Sequence, residues 1–174
     1  HHTTPHHTTP HHTTPHHTQP FFLYLDTDGL NEARLKTVLG KTWIDIHGRS
    51  HALIAHDTRH PQTKAIYDEL DILDDELRKA DFVPDTRYVS HNVSNDQKEH
   101  LLGHHSEKLA LALGLISTPP GTPILMRNNI RICPNCHAAI AMIAKLRERE
   151  ITLRDANRFH HFRKDGTCYC NNYW

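Results

Sequence analysis

Two short stretches, His105-Ser106-Glu107 and Cys133-Pro134-Asn135-Cys136, decide how the rest of the chain is read. One imidazole and two thiolates make three zinc ligands and leave a fourth position for water. That is the pattern of a catalytic zinc rather than of a closed structural one. Zinc polarises such a water and brings its pKa toward neutral. A carboxylate two residues beyond the histidine reaches that water without ligating the metal. Glu107 is therefore the candidate for moving protons between water, a ring nitrogen and a leaving group. Taken singly, a CxxC is as often a structural zinc or a redox pair, and an HxE is often a solvated helix carboxylate. The order and separation of the two carry the argument.

The flanking sequence supports this. A helical pattern runs from Ser94 to about Leu115, with a break expected at Gly103, so His105 and Glu107 fall near a helix start. Cys133 and Cys136 precede or open the strongly helical Ala138–Leu146. A helix N-terminus carries partial positive charge and favours thiolate over thiol. HxE followed by CxxC is the pattern of zinc nucleobase deaminases, although Ile132 stands where that pattern usually has proline.

A second metal site is expected in the tail. Cys168-Tyr169-Cys170 follows His160-His161, and His137 directly follows Cys136. Two sulfurs and two imidazoles make a closed, structural set: His137, His160, Cys168 and Cys170, with His161 the rival for His160. Such an ion would replace the apolar core that this polar tail lacks.

The chain has 174 residues, with 20 basic and 20 acidic side chains. Its mean hydropathy is −0.65. No apolar run approaches the roughly 18–20 residues of a membrane-spanning helix. The balance of charge also argues against gripping nucleic acid by charge alone. No charged-then-apolar leader is visible, so the cysteines read as metal ligands rather than disulfides. Eight of the 19 histidines lie in the repeated His-His-Thr-Thr-Pro of residues 1–20, which reads as an artificial, tag-like extension. Residues 21–38 read as a linker or a remnant of what precedes the domain, and 39–174 as the domain itself.

Within the domain, Lys41–Ile54 reads as a hairpin turning at His47-Gly48. Pro61–Ala80 reads as a helix with Ile66, Leu70, Leu73 and Leu77 on one stripe and a solvated acidic remainder. Strands are expected at Arg87–Val93, Pro123–Ile130 and Glu150–Arg154, and an irregular tail from Asn157. Strands alternating with helices predict an α/β layered domain, a mixed sheet flanked by helices with a zinc-stapled tail.

At these residues the chain resembles the DYW domain, the C-terminal module of plant organellar pentatricopeptide-repeat RNA-editing factors. The resemblance spans Leu39 to Trp174. It is carried by His60-Pro61-Gln62, Val83-Pro84-Asp85-Thr86, Lys98-Glu99-His100-Leu101-Leu102, His104 to Ala110, Gly114 to Pro123, Arg154 to Phe162 and the final Tyr173-Trp174. It implies a cytidine-deaminase-like fold and a catalytic zinc on His105, Cys133 and Cys136, with Glu107 as proton shuttle. It also implies a second, structural zinc and an inserted gate, for which Tyr88–Asp96 is the candidate. Three departures, Gly40-Lys41-Thr42-Trp43, Pro134-Asn135 and Asn172, resemble the KP variant of the domain, which is associated with uridine-to-cytidine conversion. The amine donor for that direction is not readable. Neutral drift in an ordinary cytidine deaminase is the competing account of the departures.

Single-stranded RNA is the expected partner, positioned by a repeat tract in cis or in trans, with no membrane role. A mitochondrial or chloroplast setting is implied by the resemblance. From Thr122 to Trp174 the net charge is +5, nine basic against four acidic residues. Arg127 and Arg158 are the candidate backbone contacts and Trp174 a candidate base-stacking residue. A non-catalytic zinc-stabilised interaction module and a free-nucleoside deaminase are the rival classes.

Overall fold

The computed structural model describes residues 39–88, 94, 97 and 102–171. The repeat of residues 1–20, the 21–38 stretch, most of the Tyr88–Asp96 candidate gate, residues 95, 96 and 98–101 of the expected Ser94–Leu115 helix, and Asn172, Tyr173 and Trp174 lie outside them.

Among the described residues the order is β1 (Lys41–Ile46), β2 (Arg49–Ile54), α1 (Thr63–Lys79), α2 (Ser106–Ser117), β3 (Ile124–Asn128), α3 (Pro134–Leu146), β4 (Ile151–Arg154) and β5 (Phe159–Phe162). The strands form one mixed sheet in the order β2-β1-β3-β4-β5. Only β3 and β4 run parallel, joined through α3 as a parallel pair requires. This is the helix-flanked mixed sheet, the deaminase-like α/β layering, that the sequence predicts.

The hairpin forms where expected. His47 and Gly48 both take positive φ, 50° and 75°, as a two-residue turn matched to strand twist demands. His47 Nε2 also donates to the Ser117 carbonyl at 3.0 Å, tying the turn to the end of α2. In α1 the predicted stripe of Ile66, Leu70, Leu73 and Leu77 is buried. The acidic remainder is not wholly solvated. Arg147, just past α3, reaches Glu69 and Glu76 at 2.8 Å each, and Asp74 meets Lys108 of α2 at 3.8 Å.

Two expectations are corrected. Arg87 opens no strand: it lies in a 3-10 turn, Thr86–Tyr88, because the Asp85 carboxylate accepts both the Arg87 N–H and its guanidinium. The tail is not irregular throughout, because Phe159–Phe162 pairs with β4 as an edge strand. Its inward positions are His160 and Phe162. Histidine counted as polar hides that alternation.

The helix α2 is the centre of the core. Every residue from Ser106 to Gly114 is buried, the mark of a helix with no solvent face. It packs on β1, β2 and β3 and is covered by α1 and α3. Closest approach to the sheet is at Gly114, where a Cβ would sit 2.7 Å from Ile44 Cδ1 and 3.3 Å from two Ile124 carbons. Gly114→Val is therefore expected to destabilise the fold by about 1–3 kcal/mol, the usual cost of overpacking. A melting temperature at or above that of the parent would contradict this packing.

Candidate active site and metal centres

Two helices begin at one point. His105 occupies the N-cap of α2 and Cys133 the N-cap of α3, both in extended backbone. Pro134 takes the first position of α3, where its missing N–H costs nothing. Cys133 Sγ accepts the Cys136 N–H at 3.3 Å, so a thiolate does the work of a capping oxygen. His105 Nδ1 lies 3.3 Å from Cys136 Sγ and 3.6 Å from Cys133 Sγ. The three ligand atoms lie within 4.8 Å of one another, and the donor set fits a metal ion.

The electrostatics point the same way. The Cys136 thiol, hydrogen-bonded to Cys133, holds that sulfur far below the usual thiol range, and His105 adds to this against the opposing effect of burial. Burial opposes a charge on His105, but its bond to Cys133 and the nearby negative charges carry the imidazole above its ordinary value. Glu107, in the first turn of α2, is 3 % exposed. Burial first, then the Cys133 thiolate, pushes its carboxyl above the ordinary range. Its Oε2 accepts from Ser106 Oγ at 3.1 Å. Ser106 Oγ is in turn 2.8 Å from Thr42 Oγ1 on β1. Opposite Thr42 on β3 lies Asn128, whose buried Nδ2 has no partner among the described residues.

A second group collects at the far side of α3. Ligand atoms of His137, His160, Cys168 and Cys170 also lie within 4.8 Å of one another. His137 Nε2 is 3.1 Å from Cys170 Sγ. Burial, and then the neighbouring His160, takes His137 down to about 4, so its ring is neutral and has a lone pair to give. Burial pushes the Cys168 thiol up to about 11. His160 donates from Nε2 to Asp155 at 2.9 Å, while its buried Nδ1 has no partner among the described residues. A ring fixed through one nitrogen by a carboxylate, with the other turned to a cluster of sulfurs, is the arrangement of metal-binding histidines. The strand separates the two candidates: His160 points inward, whereas His161 is exposed and its Nδ1 meets Thr152 Oγ1.

Residues 81–174 match the family model described as the DYW family of nucleic acid deaminases. The chain belongs to the DYW family of nucleic acid deaminases. Similar relatives include pentatricopeptide repeat-containing protein At2g27610 of Arabidopsis thaliana, 43 % identical over 83 % of this chain and 17 % of that protein. Pentatricopeptide repeat-containing protein At1g08070, chloroplastic, from the same plant, is 48 % identical over 83 % of this chain and 19 % of its own length. The chain thus spans about a fifth of the curated relatives it matches.

The DYW chain places its expected site residues unevenly. Glu107, His105, Cys133 and Cys136 come together, as do His137, His160, Cys168 and Cys170. Arg127 lies apart, on the sheet face turned away from α2, within 3.5 Å of Asp45. Arg158 follows β4, its N–H bound to Asp155. Trp174 is outside the described residues. Two basic residues of the positive half hold the fold together: Arg147 by its ion pairs to α1, and the buried Arg149 by donating to Pro119 O and Thr118 Oγ1.

Sequence reading missed Thr42, Ser106 and Asp155 as parts of the site. The signal for Asp155 was slight: an aspartate in Asp-Ala-Asn-Arg reads as a turn former. In the structure it is 1 % exposed and accepts from Ile132 N, Asn157 N, Arg158 N and His160 Nε2. Burial opposes its charge, yet these four donors hold the carboxyl well below the usual range. Asp155→Ala would strand two buried donors, Ile132 N–H and His160 Nε2, at about 1–3 kcal/mol each, and free two half-buried ones. A loss of roughly 3 kcal/mol or more in denaturant unfolding is expected; a loss under 1 kcal/mol would contradict this account.

Proposed function

We propose that this chain edits pyrimidine bases of single-stranded RNA at C4, using zinc held by His105, Cys133 and Cys136, and that it favours the uridine-to-cytidine direction. The supporting observation is the buried Glu107 carboxylate beside a His-Cys-Cys donor set at two meeting helix N-termini. Zinc held there supplies Lewis acidity that makes a nucleophile available near neutral pH. In deamination Glu107 takes a proton from water, passes it to the ring nitrogen and then gives one to the departing ammonia; in amination it takes one from the incoming amine, passes it to O4, and then moves the ring-nitrogen proton to the departing hydroxyl. In deamination, water adds to C4 and ammonia leaves; in amination, an amine of the ammonia class adds and water leaves. Both pass through a tetrahedral C4, so a site that binds it lowers the barrier in both directions.

Direction rests on three departures that resemble the KP variant: Thr42 with its neighbours, Pro134-Asn135 and Asn172. Asn135 is buried, and its Oδ1 accepts the Asp85 N–H at 3.1 Å, fastening the segment before Tyr88 to the turn between the cysteines. A firmer closure there would help amination by keeping water out. Cytidine-to-uridine conversion is the second reading, favoured by the family description itself.

The second group, His137, His160, Cys168 and Cys170, holds a structural zinc in this proposal. The RNA is delivered by a pentatricopeptide-repeat tract, as the names of the relatives suggest, and contacts Arg158 and Trp174, with Arg127 reaching only strands that pass the open sheet face. Three relatives carry "chloroplastic" in their names, which supports an organellar setting, chloroplast or mitochondrion.

The test joins the full chain to a repeat tract of known RNA target and sequences the target for both conversions. Uridine-to-cytidine product is expected, and Glu107→Ala should abolish it. Product of the opposite direction alone would overturn the direction, and editing that survives Glu107→Ala would favour a non-catalytic role for the site. Metal analysis should give two zinc equivalents per chain, with Cys133→Ala and Cys168→Ala each removing one. Retention of both ions in either variant would contradict the ligand assignment.

A further inference from the structure

We infer that Thr42 is a positioning residue for Glu107, acting through Ser106; this deepens the reading of Glu107 as the proton-moving group and depends on it. Thr42 lies on β1, on the face turned to α2, and is 0 % exposed; Ser106 is 2 % exposed. Thr42 Oγ1 and Ser106 Oγ are 2.8 Å apart, and Ser106 Oγ donates to Glu107 Oε2 at 3.1 Å. The strand and the helix that supply these hydroxyls are distant in sequence, so the contact is made only in the folded core.

A serine hydroxyl has one hydrogen. Given to Glu107, it leaves Ser106 an acceptor, and Thr42 supplies the hydrogen that keeps the rotor from turning away. With Oε2 so engaged, Oε1 is the oxygen left for proton transfer. A proton taken up on Oε1 leaves Oε2 a carbonyl oxygen that still accepts from Ser106, so the same bond holds the carboxyl with and without its proton. Thr42 thereby keeps the shuttle in one place through both halves of its cycle, where a displacement of about 1 Å can cost orders of magnitude in rate.

The test uses the full zinc-loaded chain joined to its repeat tract, with graded concentrations of single-stranded target RNA. Thr42→Val keeps the shape and removes the hydroxyl; Thr42→Ser keeps the hydroxyl. The expected result is that Thr42→Val lowers turnover about tenfold, with KM for RNA, zinc content and melting temperature close to the parent, and that Thr42→Ser recovers most of the loss. An RNA whose target pyrimidine carries a tetrahedral, hydroxyl-bearing C4 should bind Thr42→Val about tenfold more weakly, while unmodified RNA binds as before. Undiminished turnover in Thr42→Val overturns the inference. So does an equal loss in Thr42→Ser, or a loss that follows zinc content or melting. Should Thr42→Val fail to fold, Ser106→Ala is read by the same measurements. Glu107→Gln is the separate arm: editing that survives it overturns the reading of the site itself, whatever Thr42 does.

Discussion

The meeting of two helix N-termini governs this molecule. An imidazole and two sulfurs are drawn within 4.8 Å of one another in the protein interior. Unpaired, such a cluster is costly, because each charged form loses its water and faces its neighbours' charge. The chain lessens that cost with the Cys136 N–H and with the partial positive charge of both helix starts. A cation held there would complete the balance. Everything else in the fold can be seen as fixing where α2 and α3 begin: the hairpin under α2, the β3-α3-β4 crossover, and the ion pairs from Arg147 to α1.

Asp155 joins the two metal-type groups. One carboxylate takes the backbone N–H of Ile132, the residue before Cys133, and the ring N–H of His160. The start of α3 and the inward histidine of β5 therefore share an anchor. The helix joins them a second time, since Cys136 and His137 are adjacent and point to opposite groups. The tail and the His105-Cys133-Cys136 cluster are parts of one polar framework set into an apolar core.

Much of this was legible in the chain, for reasons that differ by element. The stripe of α1 showed because four apolar residues recur at helical spacing. The hairpin showed because β-branched and aromatic residues flank a turn dipeptide. The two histidine-cysteine clusters showed because cysteine and histidine have few other uses at such spacing. The strand β5 did not show, because two of its four residues are histidine, and burial through a ring that binds other groups is invisible to a hydropathy pattern. Thr42 and Ser106 did not show either. A hydroxyl beside a carboxylate means something only when a strand and a helix distant in sequence are brought together. Arg147 and Arg149 looked like surface charge available to a nucleic acid, and only tertiary contacts reveal that they are committed to α1 and to the Thr118-Pro119 turn.

The all-round burial of α2 bears on how the site can move. Buried on every side from Ser106 to Gly114, the helix cannot rotate or slide without opening gaps against the sheet on one side and α1 and α3 on the other. Gly114, already in contact with Ile44 and Ile124, removes the slack at its far end. His105 and Glu107 are thus carried at the start of a helix hemmed in by the sheet, α1 and α3. Any give needed to admit a bulky nucleotide and release the product has to come from the rim, from the loops that approach the helix at its first turn.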